Sequence, residues 1–103
     1  MAQDKAAELG LVAPVVGHVG DGNFHTLLLV DMDNVGEVSK AEAFVGWLND
    51  LAISMDGTCT GEHGIGQGKK PYLIKEMGPA THYMAVIKAA LDPDNIMNPG
   101  KIV

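Results

Sequence analysis

Glycine is concentrated in two short stretches of this chain, and both stretches also carry histidine. Five of the 13 glycines lie between Gly57 and Lys69, where they surround the pair Glu62-His63. Glycine at this density indicates backbone that turns through positive φ or passes close to another group. We therefore expect a loop that holds a carboxylate and an imidazole, side chains suited to metal binding and to proton transfer near neutral pH.

The second stretch separates two histidines by a turn signal. Asp21-Gly22 is typical of a two-residue hairpin turn, which requires positive φ at both central positions. That turn would place His18 directly opposite His25, with Cβ atoms about 4.5–5.5 Å apart. Two imidazoles at this distance can bind one metal ion, with Glu62 or Asp21 as a third ligand. They can equally form an ordinary hydrogen-bonded pair, and the residues alone leave both interpretations open.

The remaining pattern predicts an α+β fold, with helices against one face of an antiparallel ribbon. The spacing of Ser39 and Glu42 is that of a capping box and predicts the start of a helix that Gly57 ends. The ribbon is apolar on both faces, so we expect it to lie in a larger sheet or an oligomer. The predicted elements are a ribbon at about 13–30, main helices at about 39–56 and 79–91, and short helices at 3–9 and 71–77.

Glu62 and His63 are adjacent, so in extended backbone their side chains would point to opposite sides. One could then face a metal ion while the other faces a substrate, with His63 as the group that removes a proton. The alternative is a solvated loop in which glycine only supplies flexibility. Cys59 precedes His63 by four residues, but that spacing alone is a weak metal signal, and we expect Cys59 to be packed.

The composition argues against some classes of partner and indicates in which compartment the chain is found. Net charge is −6, and lysine supplies all seven basic residues, which argues against a nucleic-acid partner. A single cysteine excludes an intrachain disulfide and fits a reducing compartment. No apolar run approaches the roughly 20 residues that span a bilayer, and the start of the chain does not resemble a signal peptide. We expect one domain in the cytoplasm.

Three motifs in order resemble the C-terminal end of the FAD-linked oxidases, the group with a vanillyl-alcohol-oxidase-type FAD domain. The motifs are Gly17–His25, Gly57–Gly66 and Met97–Lys101, and the resemblance spans roughly 13–103. The family includes flavin-dependent D-lactate dehydrogenases, the glycolate oxidase D subunit and D-2-hydroxyglutarate dehydrogenase. Leu27 is apolar where the hydroxyglutarate branch tends to be polar, which favours a small 2-hydroxy acid such as D-lactate or glycolate.

The resemblance implies a role for each matching residue. His18, His25 and Glu62 match ligands of a divalent metal, for which Zn²⁺ and Mn²⁺ suit the donor set. His63 matches the base that takes the substrate's hydroxyl proton. Two asparagines have further implied roles, with Asn98 near the flavin ring and Asn23 near the substrate.

The resemblance also implies that residues 1–103 are the C-terminal part of a ferredoxin-like cap domain. The family's FAD-binding domain and most of its cap precede this segment, so we expect FAD to be bound by a missing domain or by a split subunit. A chain without them is expected to be inactive alone and to form a homo-oligomer. The alternative function is a stand-alone metal-binding or oligomerisation module without redox activity.

Overall fold

The computed structural model describes all 103 residues, and it has the predicted α+β composition. A two-stranded antiparallel sheet is combined with four α-helices, none of which is long and apolar enough to cross a membrane. The chain divides into two compact units, Met1–Ala52 and Ile53–Val103, which are described separately. The elements in chain order are α1 (Ala2–Glu8), β1 (Val15–His18), a 3₁₀ turn (Val19–Asp21), β2 (Asn23–Thr26), α2 (Val35–Ser54), α3 (Lys70–Met77) and α4 (Ala80–Leu91).

Phe44 is the centre of the first unit's core, with no exposed surface. It clusters with Ala6 of α1 and with Leu11, and partly buried side chains such as Ala13 and Leu28 pack against that cluster. Full burial of a phenylalanine side chain contributes about 1.5–3 kcal/mol relative to leaving it exposed. The ribbon is therefore supported on the face that carries Ala13 and Leu28, while Val16 and Leu27 on its other face are about half exposed.

The predicted bounds of the long helix are wrong at its N-terminus. The Asn34 side-chain oxygen accepts hydrogen bonds from the backbone N–H groups of Gly36 and Glu37, at 3.0 and 3.2 Å. Asn34 therefore caps α2, and the helix begins before the predicted capping box at Ser39. At the other end α2 stops at Ser54, and Asp56 takes a positive φ of 60° just before Gly57.

The hairpin turn is longer than the predicted two-residue turn. A 3₁₀ turn at Val19–Asp21 is followed by Gly22 with φ of 68°, and this loop pairs His18 with Asn23. The predicted pairing of His18 with His25 is therefore wrong, since His25 pairs with Val16. Four-residue loops are among the commoner hairpin connections after two-residue turns, and in this one Gly22 is the left-handed residue.

His18 and His25 lie on the same face of the ribbon, as predicted, although their predicted direct pairing is wrong. The observed pairing differs from the predicted one by two residues, and side chains alternate between faces with a period of two. His18 and His25 are consequently diagonal neighbours on one face of the ribbon instead of directly opposed.

Gly17 permits the close approach of the two strands. An added Cβ at Gly17 would lie 2.5 Å from the carbonyl oxygen of Asn23 and 2.6 Å from the Cα of Phe24. Both neighbours are backbone atoms, which cannot move aside without separating the strands. At Gly20, in the turn of the same hairpin, an added Cβ would meet nothing within 4 Å.

Substitution of these two glycines should therefore have different effects. We expect Gly17→Ala to lower the free energy of unfolding by about 1–3 kcal/mol, the usual cost of forcing extra volume into a packed site. Gly20→Ala, as the matched control, should change it by less than about 0.5 kcal/mol. Urea denaturation of both variants measures the difference, and equal values would show that the approach at Gly17 is not required.

The second unit contains a pair of short helices in contact with each other, α3 and α4. Pro71 lies in the first turn of α3, where its missing N–H carries no penalty. Gly78, with φ of 52°, ends α3 and donates to the carbonyl of Ile74 at 2.9 Å. In the first turn of α4, Thr81 donates its hydroxyl to the Gly78 carbonyl at 2.8 Å.

Candidate functional site

His18 and His25 bring their ring nitrogens near one another on the ribbon. The ring centroids are 6.4 Å apart at an interplanar angle of 83°, and one ligand nitrogen from each ring lies within 4.8 Å of the other. Two nitrogens bound to one tetrahedral zinc ion are about 3.3 Å apart, given Zn–N distances near 2.0–2.1 Å. Side-chain rotation can close a difference of this size, so the pair fits a divalent cation. His18 is exposed and His25 is half-buried.

Asn23 lies on the same face as the two histidines because it pairs with His18. It is half-buried at the start of β2. Its amide group can both donate and accept a hydrogen bond, which suits a group that orients a carboxylate or hydroxyl.

Glu62 and His63 lie in a tight turn, contrary to the extended backbone assumed from the sequence. Thr60 donates its hydroxyl to the carbonyl of Gly64 at 2.8 Å and so closes the turn around them. The Nε2 atom of His63 lies 3.5 Å from an Oε atom of Glu62, so the two side chains do not point to opposite sides. The turn exposes 78% of the His63 side chain and 48% of that of Glu62.

The loop is anchored upstream of this turn at Cys59. The Cys59 N–H donates to Glu76 of α3 at 2.9 Å, and Lys69 donates to the Cys59 carbonyl. Those bonds satisfy both backbone groups of a residue that is only 3% exposed. Cys59 is thus packed, as predicted from the sequence.

The anchor also shifts two ionisation equilibria. The hydrogen bond from the Cys59 backbone lowers the pKa of Glu76. Burial, followed by the nearby Glu76 carboxylate, raises the pKa of the Cys59 thiol to about 11. The thiol is therefore protonated at neutral pH, and Glu76 is ionised.

A second anchor holds the C-terminal tail just before Asn98. The buried Asp92 carboxylate accepts hydrogen bonds from the N–H groups of Ile96 and Met97 at 3.0 and 2.9 Å, and it is paired with Lys88. The hydrogen bond from Lys88, together with those backbone donors, holds the pKa of Asp92 below its usual range. Asn98 follows with φ of 46°, and its carbonyl accepts a hydrogen bond from the Lys101 N–H at 3.3 Å in a turn.

The tail is also bound to the glycine-rich loop. The Ile102 N–H donates to the Gly66 carbonyl at 3.0 Å, and the Lys70 ammonium donates to the Gly100 carbonyl at 3.5 Å. Gly66 follows His63 by three residues, and Gly100 follows Asn98 by two. The loop with Glu62-His63 and the turn with Asn98 are therefore linked within one unit.

The family model described as "FAD linked oxidases, C-terminal domain" matches residues 2–102 of this chain. The chain belongs to this family. The resemblance inferred from the three motifs is thereby confirmed over nearly the whole sequence, including the 57–69 loop and the tail.

Several curated relatives of this FAD-linked oxidase domain are oxidoreductases by name. A "Probable D-lactate dehydrogenase, mitochondrial" from Danio rerio is 51% identical over 90% of the chain and 19% of the relative. The "Glycolate oxidase subunit GlcD" of Bacillus subtilis is 41% identical over 96% of the chain and 21% of the relative. A "D-2-hydroxyglutarate dehydrogenase" of Stutzerimonas stutzeri is 39% identical over 84% of the chain and 19% of the relative. The chain spans about a fifth of the length of the curated relatives it matches.

Sequence reasoning missed the charged residues that hold the site's loops in this FAD-linked oxidase domain. Glu76 lies 17 residues from Cys59, so no local pattern connects them. Lys88 and Asp92 are different, because their spacing of four residues is a recognisable ion-pair spacing at a helix end. That spacing could have identified the Lys88–Asp92 pair that holds the tail. The sequence was instead interpreted there only as the end of a helix.

Proposed function

We propose that this FAD-linked oxidase domain supplies the metal ligands and the base for oxidation of a small D-2-hydroxy acid to the 2-oxo acid. D-lactate and glycolate are the proposed substrates, since relatives at 51% and 41% identity are named for D-lactate and glycolate oxidation. The observation that carries the proposal is the convergence of the His18 and His25 nitrogens within 4.8 Å on one face. The chain alone is proposed to be inactive.

His63 is the proposed base. Oxidation of a 2-hydroxy acid removes a hydride from C2 and a proton from the 2-hydroxyl, and the proton needs an acceptor that is neutral near pH 7. The exposed Nε2 of His63 can accept it, and this atom lies 3.5 Å from the Glu62 carboxylate. FAD, bound mainly by a domain outside these residues, would supply the hydride acceptor.

His18 and His25 are proposed as two ligands of a divalent metal, with Glu62 as the third. Two imidazoles and one carboxylate are a donor set that suits Zn²⁺ or Mn²⁺. A cation held there would offset the charge of the substrate's carboxylate and lower the pKa of its hydroxyl group. Asn23, on the same face as the histidines, is proposed to orient the substrate.

Asn98 is the proposed contact to the flavin. Its backbone turn follows directly on Met97, which Asp92 and Lys88 hold by hydrogen bonds. A side-chain amide fixed in this way can donate to a ring oxygen or accept from a ring N–H of the flavin.

Residues 1–103 are proposed to be the C-terminal part of a cap domain whose FAD-binding partner is a further domain or a split subunit. A cytoplasmic location also remains a prediction, and the name of the Danio rerio relative assigns that protein to mitochondria.

His63→Ala should lower kcat of the FAD-containing full-length protein by about 10²–10⁴, the usual contribution of a positioned acid–base group. His82→Ala is the matched control, because His82 is exposed on α4 and contacts the Tyr83 ring. Steady-state kinetics with D-lactate and with glycolate measure kcat for both variants. Unchanged turnover in His63→Ala, with metal and flavin still bound, would exclude His63 as the base.

His18→Ala and His25→Ala should each remove the bound metal and raise KM for the substrate before they affect flavin content. Loss of one of three ligands weakens binding because the remaining two cannot complete the coordination shell. Metal analysis of each purified variant, beside His82→Ala, tests this expectation. Stoichiometric metal in both ligand variants would contradict the assignment.

Self-association of the chain is proposed from its exposed apolar surface. Val12, Leu27 and Leu29 are 52–64% exposed beside the unpaired edges of a two-stranded ribbon. Such edges and apolar groups are usually covered by another chain or domain. Sedimentation velocity of the 103-residue chain at tens of micromolar, a range in which weak association is visible, should give a species larger than a monomer. A monomer at that concentration would refute the proposal.

A further inference from the structure

We infer that Glu76 is a positioning residue that orients the Glu62-His63 turn through its hydrogen bonds to the loop backbone and to Thr58. The inference rests on the proposed function of His63. Glu76 belongs to α3, and its role would be exerted through the loop without contact to the substrate.

Glu76 starts a chain of hydrogen bonds that ends at the turn. Its Oε2 atom accepts from the Thr58 hydroxyl at 3.1 Å, and the same hydroxyl accepts from the Thr60 N–H at 3.4 Å. Thr60 in turn donates its own hydroxyl to the Gly64 carbonyl at 2.8 Å. Glu62 and His63 lie between Thr60 and Gly64, so the chain spans the turn that carries them.

Glu76 also fixes the point from which the turn departs. The same Oε2 atom accepts from the Cys59 N–H at 2.9 Å, while Lys69 holds the Cys59 carbonyl. Only Thr60, Gly61 and Glu62 separate Cys59 from His63. With glycine in so short a connection, the side-chain bonds at Cys59 and Thr58 are what restrict the orientation of the turn.

Two substitutions can test the length of the Glu76 side chain and its charge separately. Both bonds use a single acceptor oxygen, so Glu76→Gln can keep a carbonyl oxygen at the same length while it removes the charge and replaces the other oxygen with an NH₂ group. Glu76→Asp keeps the charge and shortens the side chain by one methylene, which takes the oxygen out of reach. A positioning role therefore requires that Gln be tolerated and Asp be harmful.

The test uses the FAD-containing full-length protein, with kcat and KM for D-lactate and the bound flavin measured for each variant. Glu76→Asp should lower kcat about 10- to 100-fold, the effect expected from an ångström-scale displacement of a reacting group. Glu76→Gln should stay within about threefold of the unsubstituted protein, because a neutral acceptor is weaker than a charged one but has the same geometry. Glu42→Asp, at an exposed glutamate of α2, is the matched control for the substitution.

A double-mutant cycle with His63→Ala separates positioning from a general structural effect. If Glu76 acts through His63, adding Glu76→Asp to His63→Ala should cost less than about threefold further at unchanged metal content, since the base to be oriented is gone while Glu62 still binds. An undiminished loss in the double variant, or a harmful Gln with a tolerated Asp, would overturn the inference. Where Glu76→Asp does not fold, Thr58→Val breaks the same chain of bonds and should show the same dependence on His63.

Different results would refute the proposal that His63 is the base and the proposal that Glu76 positions it. Full activity in His63→Ala would remove the proposed base, whatever Glu76 does. A large loss in His63→Ala with normal activity in Glu76→Asp would leave the base in place and refute the positioning role.

Discussion

The close approach of Gly17 to the backbone of Phe24 is the constraint on which the placement of His18 and His25 depends. A Cβ added at Gly17 would lie 2.5–2.8 Å from three atoms of the opposite strand, so no side chain larger than hydrogen fits there. The approach holds β1 and β2 in the register that puts His18 and His25 diagonally on one face. Any slip of one residue would send one histidine to the face that packs on Phe44.

The glycine-rich loop depends on a different kind of restraint, because it has little apolar surface to bury. Charged side chains in α3 and α4, or directly at their ends, restrain this loop and the C-terminal tail by binding their backbone groups. Glu76 and Lys69 hold Cys59, and Asp92 with Lys88 holds Met97. Hydrogen bonds to charged partners are stronger than neutral ones, which lets a few of them order an exposed loop. The arrangement leaves Glu62, His63 and Asn98 accessible while their backbone is fixed.

The sequence predicted those features that are encoded by local chemistry. The helix predicted at about 79–91 is one example, since the structure has α4 at Ala80–Leu91. The same reasoning failed at the hairpin, because Asp21-Gly22 is compatible with two loop lengths and the close contact at Gly17 is with a residue of the other strand. It failed again at Ser39, where Asn34 provides an earlier cap. Glu76 could not be found at all, since its bonds to Thr58 and Cys59 form only once α3 is folded beside the loop.

His18 and His25 are proposed to share one metal ion, and X-ray absorption at the metal edge measures the ligands of that ion. The FAD-containing full-length protein would be measured after metal analysis has identified the ion. We expect scattering from two imidazole rings, with metal–nitrogen distances of about 2.0–2.2 Å. A spectrum with oxygen ligands only, or with the two-imidazole signal unchanged in His18→Ala, would contradict it.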